Sequence, residues 1–346
     1  MLVRIVSFVG VTRRIDMGQR LYVLSSGRLR RQQNTLVLET DEGKRFFPVE
    51  QVDEIHVFGE IDLNKRLLSF LTQQRIPVHF YNYHGYYIGT YYPREHYNSG
   101  YMILRQAEYY LDECKRLDLA RRFVDGALFN LYKVVRYYRN RGKPLENVES
   151  SIESHRSRLD DLHDIAALMQ AEGQAREAYY SAFDIILDDP DFAFEQRSRR
   201  PPRNRINALI SFGNSLLYTA VLSEIYHTHL DPRIGFLHAT NFRRFSLNLD
   251  VAEIFKPALV DRVIFSLVAK KQIQSRDFSE ELEGLYLNDR GRRVFLEAWE
   301  KRLASTFRHR GLRRNVSYRR AIRLELYKIE KHLMGEKPYT PFHLRW

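Results

Sequence analysis

The chain has 346 residues, 44% of them hydrophobic, which suits two domains with a sizeable core. Fifty-five lysines and arginines against 43 acidic residues give a formal charge of +12, which favours a polyanionic partner because neutralised phosphates release counterions. One cysteine, Cys114, excludes an internal disulfide framework and a thiolate zinc cluster, and no apolar run reaches the roughly eighteen residues of a membrane span.

The opening MLVRIVSFVGVTRRIDMGQR lacks the apolar core and small-residue cleavage site of a secretory leader, so a cytoplasmic protein with no membrane association is expected. From Leu21 to Pro93 the signals are those of strands. RLYVLSSG, NTLVLET and KRFFPV are short β-branched and aromatic runs, and Asp41, Glu42 and Gly43 form a hairpin turn between the last two. VDEIHVFG is a further strand, and NKRLLSFLTQQR a helix that crosses back to a buried strand, IPVHFYN. HGYYIGTYYP then predicts an edge hairpin whose tyrosines, Tyr81 to Tyr92, either pack within the domain or line a dimer interface.

After the polar turn HYNSG the apolar period becomes helical. Leu104 to Val135, Ile206 to Val221 and Ile322 to Leu333 all follow it, with Arg105 to Asp118 read as one helix holding Cys114 as filler. The expected fold is therefore α+β: a β-rich N-terminal domain over 1–95, a linker over 96–101 and an all-helical domain over 102–346. No internal repeat and no GxxxxGK[ST] loop occurs, so machinery for ATP or GTP hydrolysis is not visible.

Certain polar groups sit where apolar ones are expected. In GFLHATNFRRFSLNLDVAEIFKP, His238 closes a strand-like run, and Asp250 and Glu253 lie three apart on a helix starting near Leu249. The pair either converges on one object or follows the preference of acids for a helix's first turn, and His238 is either a ligand or a satisfied core residue. Upstream, Glu172 in AEG is read at a helix break allowed by Gly173, as a ligand or as a cap. Taken together, one imidazole and two or three carboxylates suit Mg²⁺ or Mn²⁺, an ion that serves phosphoryl transfer. Two arginine-rich runs, RSRRPPRNR (Arg197, Arg199, Arg200, Arg203, Arg205) and RHRGLRRNVSYRRAIR (including Arg313, Arg314, Arg319, Arg320 and Arg323), are solvated faces or contacts to a nucleic-acid backbone.

These residues, with LYVLSSGRLRRQQNTLVLE, AEGQAREAYYSAFD, RRPPRNRINALISFGNSLLYT and RRFSLNLDVAEIFKPALVDRVIF, make the chain resemble the CRISPR-associated integrase of the spacer-acquisition complex, in its type I form. The resemblance runs from Leu21 to the C-terminus. It implies a β-rich domain that mediates homodimerisation and a helical domain that binds a divalent metal through Glu172, His238 and Glu253, with Asp250 as the preceding acid in the site. It further implies transesterification: the 3′-hydroxyl of a protospacer duplex attacks the edge of a CRISPR repeat, with nuclease and disintegration activity on branched DNA and a small second adaptation protein as partner. As a ligand His238 would have to be neutral, so activity would fall as the pH drops through its titration. Residues before Arg20 have no counterpart in this pattern, Ala171 stands where many members carry isoleucine, and Glu253 where many carry aspartate. From residues alone, a structure-selective nuclease and a non-catalytic nucleic-acid scaffold remain the competing readings.

Overall fold

The structure is a computed structural model that describes residues 5–8, 18–94, 97, 99–240, 245–281, 284–309 and 311–345. Most of the stretch before Arg20, together with His96 and Asn98 of the expected linker, lies outside the described residues. The chain divides into two compact units, one made of Met1–His96 and Leu287–Ala304, the other of Tyr97–Tyr286 and Ser305–Trp346.

The first unit opens with β1 (Ile5–Phe8), β2 (Gln19–Val23), β3 (Gly27–Gln32), β4 (Thr35–Thr40), β5 (Gly43–Pro48), β6 (Val52–Val57) and β7 (Ile61–Asp62), followed by α1 (Lys65–Gln74), β8 (Val78–Tyr81) and β9 (Tyr87–Tyr91). One sheet has the order β1-β2-β6-β8-β9, the other β5-β4-β3-β7. Neighbours β6 and β8 are parallel, which a tight turn cannot achieve, and α1 supplies the crossover. Asn64 starts that helix by accepting a hydrogen bond from the Leu67 amide at 2.9 Å. Leu21, Val23 and Ile55 of the first sheet, Leu29, Leu36 and Leu38 of the second, and Leu67, Phe70 and Leu71 of α1 share one apolar core. The turn at Asp41–Glu42 pairs Thr40 with Gly43, whose φ of +128° favours glycine. Strand β3, GRLRRQ, escaped the sequence reading because Leu29 is its one buried residue. Among the tyrosines of the β8–β9 hairpin, Tyr81 is buried, Tyr83 is exposed, and Tyr91 donates to the Leu68 carbonyl at 3.1 Å.

The second unit begins with α2 (Gly100–Leu111), α3 (Glu113–Arg139), α4 (Glu146–Ser157), α5 (Ile165–Leu187), α6 (Arg205–Tyr226), α7 (Ser246–Phe255) and α8 (Arg262–Ala269). The single helix expected over Arg105–Asp118 is two, because the Asp112 side chain accepts the Lys115 amide at 3.0 Å and caps α3; Cys114 beside it is exposed. Helix α6 is long and apolar enough to cross a membrane, yet 89% of its most apolar stretch is buried within the fold, as expected of a central helix. Between α7 and α8 the backbone widens over Pro257–Asp261 into a π-helical turn, with the Asp261 amide reaching back to the Lys256 carbonyl at 3.2 Å.

The unit is not all-helical, a correction to the sequence reading. It also holds the short strands β10 (Phe278–Glu281) and β11 (Gly284–Leu287), while α9 (Asp289–Ala304) falls in the other unit, and β12 (Thr306–His309) and β13 (Arg314–Ser317) precede the last helix, α10 (Tyr318–Leu333). TFRH and RNVS are too short and basic to carry a period of two, and they frame the turn of the second arginine-rich run. Beyond α10 the chain returns along α3. There Asn130, fully buried, donates to the carbonyls of Ile254 and Phe342 at 2.8 and 3.0 Å and accepts the Leu344 amide at 2.7 Å.

Helix α9 closes the first unit, although the sequence reading left it in the second. Its Glu300 receives Arg20 at 2.9 Å and the Tyr22 hydroxyl at 2.5 Å, and Arg20 also faces Glu54 at 3.2 Å. All four side chains are buried, so the charges must satisfy one another.

Candidate metal and nucleic-acid site

Helix α5 runs unbroken through Glu172. The cap expected of that glutamate is made instead by Asp164, whose side chain accepts the Ala167 amide at 2.8 Å. Gly173 does not break the helix: a mid-helix glycine costs about 1 kcal/mol, less than the packing of α5 against α3 and α4 returns. Glu172 therefore projects from the middle of a rigid element, one helical turn before Arg176. The Arg176 Nε donates to Glu172 Oε1 at 2.7 Å, and its Nη2 donates both to Glu172 Oε1 and to Glu253 Oε2. Lys256, one turn beyond Glu253, pairs with its Oε1.

Asp250 and Glu253 share α7 but meet different partners. The helix begins at Ser246, three residues before the expected start, and its first turn holds no acid, so the dipole reading does not describe this pair. Asp250 is fully buried and accepts four hydrogen bonds: the amides of Phe236 and Leu237 at 2.6 and 3.1 Å on Oδ2, and the amide and ring Nδ1 of His238 at 2.9 and 2.8 Å on Oδ1. IGFLH is thus an irregular turn, not a strand, because a carboxylate takes the amides that a neighbouring strand would. Gly235 permits the approach: a Cβ there would stand 2.5 Å from the Leu247 amide and 2.8 Å from Asp250 Oδ2.

With its oxygens saturated, Asp250 orients His238 instead of offering itself as a ligand. Its bond to Nδ1 fixes the proton there and leaves Nε2 as the ring's remaining donor atom. Burial opposes the imidazolium, but the hydrogen bond and charge of Asp250 outweigh it and raise the His238 pKa. Burial likewise opposes the charge on Glu253, yet Arg176 and Lys256 hold that carboxyl down at about 2.

Among the described residues, no three His, Cys, Asp or Glu side chains stand close enough to form a ready-made metal cluster. Glu172 and Glu253 are joined through the Arg176 guanidinium, and His238 is joined to Asp250. By donor chemistry the set still fits a hard divalent ion, with two carboxylates and one oriented imidazole nitrogen supplied by α5, α7 and the turn before α7. Arg176 and Lys256 escaped the sequence reading. Their signal was helical spacing, four residues from Glu172 and three from Glu253.

Residues 21–301 match the family described as CRISPR associated protein Cas1. The chain belongs to the Cas1 family. It is 57% identical over 330 residues to CRISPR-associated endonuclease Cas1 2 of Thermodesulfovibrio yellowstonii, covering 95% of this chain and 100% of that protein. Over 321 residues it is 50% identical to CRISPR-associated endonuclease Cas1 of Thermotoga maritima, covering 93% and 98%. The solved structure of a Cas1 protein from Thermotoga maritima superposes with a TM-score of 0.85 at 49% identity, over 93% of this chain and 99% of that one. A casposase bound to its integration product, at 21% identity, has the same fold with a TM-score of 0.84, over 94% of this chain and 93% of that one. The chain is thus a member of an endonuclease family with an α+β fold.

The arginines of this Cas1 member divide by environment. Arg319 and Arg323 face the buried Glu224 at 3.6 and 2.5 Å, Arg197 bonds Asn207 at 2.8 Å and Ser211 at 3.2 Å, and Arg205 bonds the Asp191 carbonyl at 2.9 Å. Arg320 lies over the Tyr327 ring. Arg199, Arg200, Arg203, Arg313 and Arg314 are exposed.

Behind the site, the π-helical turn carries Asp261 against Tyr179, whose hydroxyl donates to it at 3.0 Å. Burial raises this carboxyl to about 7 in spite of that bond and of Arg176 and Lys256. The folded protein thus keeps a proton that the unfolded chain gives up near pH 4. The contribution of Asp261 to stability is full at low pH and declines between about pH 4 and 7 by roughly 1.4 kcal/mol per unit. Urea midpoints of wild type and Asp261→Asn should therefore diverge in the variant's favour as the pH rises through that window, and parallel curves would refute the assignment.

Proposed function

We propose that the chain is a metal-dependent DNA integrase of CRISPR adaptation, which joins the 3′-hydroxyl ends of a protospacer duplex to the edge of a CRISPR repeat. Cutting and disintegration of branched DNA follow from the same chemistry, since one P–O bond forms as another breaks and no nucleotide is consumed. The observation that carries this reading is the Asp250 clamp, which commits one nitrogen of the His238 ring and leaves Nε2 as the other, with Glu253 on the same helix as Asp250. The names of the relatives at 57% and 50% identity support it.

Glu172, Glu253 and His238 Nε2 would hold Mg²⁺ or Mn²⁺, which when bound supplies charge stabilisation to a phosphoryl oxygen. Asp250 keeps the His238 proton on Nδ1. The remaining partners of the proposal are a second copy of the chain, bound through the β-rich unit, and a small second adaptation protein, in a cytoplasmic setting.

Strand transfer on branched DNA mimicking a half-integrated spacer tests the reading, with Mn²⁺, Mg²⁺ or chelator. Activity should require the metal and fall roughly 10²-fold or more in His238→Ala and Glu172→Ala, at least the loss typical of an outer-sphere partner. Equal behaviour of mutants and wild type would reduce the chain to a binding scaffold. With a repeat-bearing supercoiled plasmid and short duplexes, degradation without joined products would favour a structure-selective nuclease.

Exposed arginines supply backbone contacts in this proposal. Replacing Arg203, Arg313 and Arg314 together by alanine should weaken DNA binding irrespective of sequence and lower the salt slope by about three, near one per lost phosphate contact. Arg323→Ala should instead lower stability, because it strips a cation from buried Glu224.

A further inference from the structure

Arg176 is the one side chain that touches both Glu172 and Glu253 among the described residues. Its Nη2 contacts an oxygen of each carboxylate, and a nitrogen in that position stands where a cation shared by the two would have to stand. Resting on the metal site proposed above, we infer that Arg176 is a resident counter-cation of that site, and that loading a divalent ion is an exchange in which the guanidinium gives up its hold on the carboxylates.

Electrostatics requires an occupant. Glu172, Glu253 and Arg176 keep only 17%, 10% and 12% of their side-chain surface, and two carboxylates facing each other so far from water repel strongly. Arg176 removes that repulsion in the metal-free protein and keeps both groups aimed at one point. Formal charges also favour exchange. Against Glu172, Asp250 and Glu253, the cations Arg176 and Lys256 leave one net negative charge, whereas a divalent ion in place of the guanidinium leaves none.

Arginine suits a post that must be vacated. Its flat guanidinium is weakly hydrated, so it enters a half-dry site readily, and its long flexible stem lets the head swing without moving α5. Lys256 differs, since it bonds the other oxygen of Glu253, Oε1, and pairs with that carboxylate alone.

The exchange predicts that metal affinity is held down by a competitor built into the protein. Mn²⁺ binding to the full-length, DNA-free protein, followed by the paramagnetic signal of free Mn²⁺, measures this directly. Arg176→Met should tighten Mn²⁺ binding about tenfold or more, while the metal-free variant melts lower than wild type and gains more from added Mn²⁺. Arg176→Lys should lie between, because an ammonium keeps the charge but not the fork. A purely structural arginine would lower the melting temperature and leave Mn²⁺ affinity unchanged or weaker, and that result overturns the inference. Should Arg176→Met fail to fold, Arg176→Lys decides by the same criterion: tighter than wild type supports exchange, equal or weaker refutes it. Glu172→Gln and Glu253→Gln separate the two levels of the argument. Wild-type Mn²⁺ affinity in both would sink the metal site itself, whereas lost binding there without tightening in the Arg176 variants would sink only the exchange.

Discussion

Asp250→Asn is expected to destabilise the protein by about 3–5 kcal/mol, the cost of breaking a buried charged network from one side. Four donors converge on this carboxylate: three consecutive amides and the His238 ring. An asparagine offers one acceptor oxygen and turns an amide toward groups that themselves donate, so at least two bonds are lost and a donor faces donors. The His238 ring also loses the bond that keeps its proton on Nδ1. The denaturant midpoint should therefore drop, amide exchange at Phe236, Leu237 and His238 should accelerate, and strand transfer should fall further than the lost stability accounts for. Normal exchange at those three amides would show that the clamp is not what holds the turn.

The second large effect is expected at Asn130, far from any reacting atom. Asn130→Ala removes two donated bonds and one accepted bond from a fully buried side chain and leaves the carbonyls of Ile254 and Phe342 and the amide of Leu344 unsatisfied. Each orphaned group costs about 1–3 kcal/mol, and solvent entering the cavity recovers part of this, so a loss of about 2–4 kcal/mol is expected. Because Ile254 follows Glu253, the damage reaches the site: Mn²⁺ affinity should weaken and trypsin should cut the chain's return after α10 sooner. A variant that loses stability while its Mn²⁺ affinity stays at the wild-type value would uncouple this anchor from α7.

Much of this architecture was legible in the sequence, since hydrophobic period reports which face of an element is buried. NTLVLET, KRFFPV and VDEIHVFG alternate or run apolar and are strands; NKRLLSFLTQQR carries a helical stripe and crosses between parallel strands. What escaped reading lacks a buried face. GRLRRQ buries Leu29 alone, and TFRH and RNVS are strands held by pairing with each other. At the site, residue types were visible but their directions were not. Asp250 and Glu253 share a helix at spacing three, yet one is consumed by backbone amides from a preceding turn and the other by an arginine from α5, relations set by tertiary contact. Gly173 misled because glycine breaks a helix only when packing does not hold it.

Helix α9 has a consequence for how the chain is made. The first unit contains its partner for buried Arg20 in Glu300, so this unit lacks a wall until residue 304 has left the ribosome. Nascent strands must wait, exposing Arg20 and Glu54, while Tyr97–Tyr286 of the other unit is synthesised. A fragment ending at residue 96 would carry the same defect permanently, and proteolytic release of the β-rich half as a folded piece would take three cuts, leaving its two segments held together without a covalent link.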